Sequence, residues 1–109
     1  MNQEEYLKRF KEVTEMMYLI TEMKNKDYSW ENNSNAFANF MAVEEFWVST
    51  EDGFITRMID KIKRISNLTR QSNHVADEKI TDTLLDLANY SILFKLYLES
   101  KWSEKQLSE

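Results

Sequence analysis

ITDTLLDLANYSILFKLYL, residues 80–98, is the longest apolar run of the chain, and two aspartates interrupt it. Asp82, Asp86 and Asn89 stand at i, i+4 and i+7, positions that share one face of a helix. Two carboxylates and an amide would then project together from an otherwise buried helix. Buried carboxylates are costly unless they pair or coordinate a metal. This face is therefore the first candidate for function.

The rest of the chain supports a helical reading. There is one glycine and no proline in 109 residues, and sheets draw on such residues for their turns. Aromatics at 13% and apolar residues at 42% exclude a disordered chain. We expect one all-α domain over residues 1–109, an antiparallel four-helix bundle, with a frayed tail at about 103–109. The net charge of −5 does not point to duplex nucleic acid. With no cysteine there is no disulfide, thiolate metal site or cysteine nucleophile. The opening MNQEEYLKRF is charged and amphipathic, not a signal peptide. No run is long and uncharged enough for a membrane span, which takes ~20 residues. The expectation is a soluble protein of the cytoplasm.

Helix one is expected over Gln3–Lys24, with Tyr6, Phe10, Val13, Met17, Ile20 and Met23 at spacings of three and four. KNKDYSWENNSNAF, residues 24–37, is rich in Asn and Ser and reads as a long loop. Ser34 or Asn35 would cap helix two, about Ala36–Val48. Gly53 is expected to break the chain with a positive φ ahead of helix three, Phe54–Leu68. After TRQSNHVADE, helix four is expected over Glu78–Trp102.

Four constellations could carry chemistry. Asp82, Asp86 and Asn89 offer hard oxygen ligands suited to Mg²⁺ or Mn²⁺. The plain alternative makes Asp82 a first-turn acid and pairs Asp86 with a base of helix three. Arg57, Asp60, Lys61 and Arg64 lie on one face of helix three. They form either solvated decoration or a phosphate-binding face with Asp60 on the metal. In the long loop, Lys26 could reach a phosphate while Tyr28 or Trp30 stacks on a base; the alternative is a loop plugged into the bundle. Of Glu44 and Glu45, only one can face the site, and Glu44 is the candidate metal ligand. His74, the lone histidine, has no nucleophile beside it to suggest a triad.

KNKDYSWENNSNAFANF (24–40), RMIDKIKRISNL (57–68) and DEKITDTLLDLANYSIL (77–93), taken as an ordered set, resemble the family called nucleotide modification associated domain 1. That family is all-α and frequent in phages, and it looks like a distant relative of MazG-type nucleoside triphosphate pyrophosphohydrolases. The resemblance covers about Lys24–Leu98. It implies a helical bundle that forms a homodimer or larger homo-oligomer. It also implies Mg²⁺ held by carboxylates on two helices, in the patterns EExxE and ExxD. Asp86 matches the final Asp of ExxD. Thr83 stands where its Glu would be, with Asp82 beside it as a substitute. The EExxE helix corresponds to Arg57–Arg64, where Asp60 is the one acid. The metal-binding charge is thinner than in the hydrolases.

The leading expectation is a nucleotide-handling protein of MazG-like type, an Mg²⁺-dependent pyrophosphohydrolase. Asp60 and Asp86 would be catalytic, and with Asp82 or Glu44 would hold Mg²⁺. Arg57, Lys61, Arg64 and Lys26 would contact phosphates, with Asn89 beside the substrate and Tyr28 or Trp30 on the base. The rivals are a non-catalytic binder that sequesters a nucleotide or nucleotide signal, and a protein–protein adaptor anchored by Trp47 or Trp102.

Overall fold

The computed structural model describes residues 1–32 and 35–108, with side chains for residues 1–25 and 35–106. The all-α expectation holds, and no strand occurs among the described residues. Helix α1 spans Gln3–Asn32. A single turn, α2 (Ala38–Met41), runs into a 3-10 turn at Ala42–Phe46. Then come α3 (Thr50–Leu68) and α4 (His74–Ser108). No helix among the described residues is long and apolar enough to cross a membrane. The chain divides into two compact units, Met1–Ala36 and Phe37–Glu109.

The first unit is α1. Asn2 caps it: its Oδ1 accepts from the Glu5 N–H at 2.8 Å while its Nδ2 donates to Glu5 Oε1 at 3.2 Å. Those two bonds satisfy an end that has no helical partners. The helix does not stop at Lys24 but continues through Asn32, so the expected loop is largely helical backbone. Asn and Ser lower helix propensity by only a few tenths of a kcal/mol each, too little to end an established helix. Val13 and Met17 are half-buried, whereas Tyr6, Phe10 and Ile20 are exposed.

The second unit is built on an antiparallel hairpin of α3 and α4. Contacts pair rising numbers on α3 with falling numbers on α4. Glu51 meets Lys101 at 3.1 Å, Phe54 stacks on Phe94, and Lys61 meets Asp86 at 3.4 Å. Ser49 caps α3, its Oγ accepting from the Asp52 N–H at 3.0 Å. Asn73 caps α4 in the same way, its Oδ1 accepting from the Ala76 N–H at 2.8 Å. Such caps are worth about 1 kcal/mol each. They start both helices four residues earlier than the apolar period suggests.

Phe54, wholly buried, is the centre of the unit. Its ring lies between Phe40 at 4.4 Å and Phe94 at 4.9 Å, each tilted by only 8°. Tyr97 and Phe37 close one side, their rings 5.7 Å apart edge to face. Aromatic pairs of this kind add about 0.5–1.5 kcal/mol beyond burial. Gly53 has no positive φ; it sits inside α3, where its N–H bonds to Ser49 O at 3.0 Å. Its role is close approach, since a Cβ there would lie 3.1 Å from Val43 Cγ2. The left-handed residue is Trp47, with φ of 61°. It ends the 3-10 turn where one continuous helix two was expected.

Candidate functional site

One face of α3 carries Arg57, Lys61 and Arg64 at i, i+4 and i+7, and the tertiary structure gives each a different setting. Arg57 lies over the Phe40 ring, its Cζ 4.6 Å from the centroid. Lys61 Nζ is 3.4 Å from Asp86 Oδ2, the plainer of the two readings of that aspartate. Lys61 and Arg64, with Asp60, Lys63, Asn67 and Leu68, line a cleft of about 570 Å³. The fourth cation of the cleft comes from α4: Lys79. Lys79 reaches it because α4 begins at His74 and runs back along α3. Four cations therefore face one carboxylate in an open cleft floored by Leu68, which is buried. That arrangement suits a multiply charged anion, and Arg64 adds a planar donor fork matched to phosphate oxygens.

The carboxylates expected to hold a metal come from three elements: Glu44 from the 3-10 turn, Asp60 from α3, and Asp82 and Asp86 from α4. Asp82 is exposed and lies well inside α4, not in its first turn. Thr83 beside it is buried, and its hydroxyl donates to Lys79 O at 2.6 Å. Adjacent helical positions point about 100° apart, so Asp82 does not project where Thr83 does. Glu44 accepts from Thr50 Oγ1 at 2.7 Å, at the start of α3. Lys61 and Asp86 lie about 16 Å further along that helix. Among the described residues no three of Asp, Glu or His come together in a metal-sized group. Asn89 is half-buried on α4. The side chains of Lys26, Tyr28 and Trp30 lie outside the described residues.

At the other end of the hairpin Lys101 binds Glu51 at 3.1 Å. That hydrogen bond holds Glu51 below the ordinary carboxylate range and Lys101 above the ordinary lysine range. Tyr97, beside Thr50 and Glu51, is raised chiefly by burial. Those groups clamp α3 to α4. His74 is exposed and pairs with Glu78 at 3.0 Å, a surface contact in the first turn of α4. Trp47 is 95% exposed and Phe46 72%.

Lys63, Asn67 and Lys79 are cleft residues that the sequence reading did not single out. Asn67 and Lys63 could have been found as neighbours of Arg64 on α3. Lys79 could not, because its place depends on the hairpin register.

Residues 24–98 match the family described as nucleotide modification associated domain 1, the span over which the sequence motifs resemble it. No curated protein and no solved structure matches the chain.

Proposed function

The chain belongs to the nucleotide modification associated domain 1 family, and from that premise we propose that it binds a nucleotide by its phosphates in the α3–α4 cleft. The observation that carries the reading is the convergence of Lys61, Lys63, Arg64 and Lys79 on one open cleft. Here Asp86 offsets Lys61 alone, and the surplus positive charge is left for a ligand. A divalent cation enters this reading as a companion of the ligand's phosphates, with Asp60 the carboxylate nearest to hand. Kinship with MazG-type pyrophosphohydrolases, and turnover to monophosphate and pyrophosphate, would require further carboxylates than one copy brings together.

A homo-oligomer is part of the proposal. Ile55, Ile59 and Ile62 form a stripe at i, i+4 and i+7 on α3, each more than 40% exposed, and Ile92 and Leu96 do the same on α4. Pairing such hairpins between two copies would bury these stripes and complete a four-helix arrangement. A protein–protein adaptor is the second reading, favoured by the exposure of Phe46 and Trp47.

The test is calorimetry with each dNTP, each NTP and inorganic tripolyphosphate, with and without Mg²⁺, and chromatography for released pyrophosphate. Saturable binding that Arg64→Ala weakens by about 10-fold or more supports the reading. Absence of binding by all of these ligands in both conditions overturns it.

A further inference from the structure

Arg57 was grouped with the phosphate contacts, but its surroundings set it apart from Lys61 and Arg64. It is not a cleft residue. It sits on Phe40, which stacks on Phe54, which stacks on Phe94. The guanidinium is thus one end of a four-member series in which Phe54 is wholly buried and Phe40 and Phe94 are half-buried. Arg57 is nevertheless exposed, so the side facing away from Phe40 is open to solvent. Among the described residues it makes no ion pair, although Glu45, Glu51 and Asp52 precede it within the same unit. A guanidinium held on an aromatic ring keeps its planar outer surface available, and such surfaces stack on nucleobases.

Its position also fits. Arg57 stands one turn before Lys61 and two before Arg64 on the same face of α3, about 6 Å and 10 Å along the axis. A sugar and its first phosphates cover that interval. We propose that Arg57, backed by Phe40, is the platform for the base of the nucleotide whose phosphates occupy the Lys61–Lys79 cleft. This rests on the phosphate reading above. It moves the base contact from Tyr28 or Trp30, expected from the sequence, to a residue on the rigid hairpin. Stacking on a guanidinium discriminates little among bases, because every base has a π-face. The site therefore takes nucleotides as a class, with purines favoured by their larger rings.

The experiment compares inorganic tripolyphosphate with dATP and dTTP by calorimetry, in wild type and Arg57→Lys. Lysine keeps the charge and loses the planar surface. Tripolyphosphate carries at least as much negative charge as a dNTP, so tighter dNTP binding reports the base. Wild type is expected to bind dATP on the order of tenfold tighter than tripolyphosphate. Arg57→Lys is expected to abolish that preference and leave tripolyphosphate affinity unchanged. The triphosphate of 2-aminopurine, whose fluorescence is quenched by stacking, should be quenched by wild type and much less by Arg57→Lys. If tripolyphosphate binds but dATP binds no tighter, or Arg57→Lys weakens both ligands alike, the platform is wrong and the phosphate cleft stands. If neither tripolyphosphate nor either dNTP binds, with or without Mg²⁺, the cleft reading fails, and the platform with it. An unchanged melting temperature of the unliganded variant shows that its fold survives.

Discussion

Replacing Asp86 by Asn separates two accounts of this protein, because they predict opposite signs. If Asp86 were a metal ligand for the substrate phosphates, its loss would weaken nucleotide binding in Mg²⁺. The structure instead places its Oδ2 3.4 Å from Lys61 Nζ, with the Asp86 side chain 54% exposed and that of Lys61 27% exposed. Two unit charges at that separation attract by about 1.2 kcal/mol in water. Side-chain ordering and solvent screening reduce a pair this exposed to about 0.2–1 kcal/mol net. The same carboxylate repels an incoming phosphate, so a ligand must overcome both effects. Asp86→Asn keeps the shape and removes the competition. Tripolyphosphate and dNTP affinity should rise by about 2- to 5-fold at ~50 mM salt. The gain should shrink toward nothing at ~1 M salt, where the screening length is about 3 Å. Titration calorimetry at both salt concentrations, with and without Mg²⁺, measures this. Weaker binding in the variant at low salt would refute the reasoning and return Asp86 to the metal.

Three further outcomes concern the scaffold. Phe54→Ala removes the middle ring of the stack and should cost about 3–5 kcal/mol in urea unfolding; a loss below ~1 kcal/mol would mean the core lies elsewhere. Trp47→Gly relieves a left-handed Cβ at a side chain that touches almost nothing. Net of glycine's entropy, melting should rise by about 2–6 °C, and a fall would show that the indole is held. The clamp at the open end of the hairpin should give stability a plateau in pH. Glu51 is lowered by Lys101, so its contribution is present above the unfolded carboxylate value and lost as pH falls through the lower folded value. Lys101 and Tyr97 are raised; their contribution is full below the unfolded values of 10.5 and 10.0 and is lost as pH rises through the folded ones. Glu51→Gln should flatten the acid limb and weaken the alkaline limb of a melting-temperature profile. A variant profile that superimposes on wild type would dismiss the clamp.

The helical class was legible because apolar residues recur at spacings of three and four and almost no glycine or proline interrupts them. The helix starts were less so. Ser49 with Asp52, and Asn73 ahead of Ala76, are short polar caps that precede the apolar pattern, so reading from the pattern places each helix four residues late. Gly53 misled in a different way. A lone glycine suggests a turn, yet here it admits Val43, a tertiary reason invisible along the chain. The basic cleft was half legible. Lys61 and Arg64 follow from helical spacing, but Lys79 depends on where the hairpin turns, and Arg57 leaves the group because Phe40 arrives from a separate element.

The charge layout of the hairpin sets the cleft apart from the rest of α3. Acids gather at the α3 N-terminus, where Glu51 and Asp52 meet the positive end of the helix dipole. Lys61, Lys63 and Arg64 lie toward the opposite end of α3, which tolerates cations better. Lys79 is the exception. It stands in the second turn of α4, at the end where the dipole disfavours a cation, and beside three other cations in the same cleft. An anion seated there would be attracted by all four cations at once.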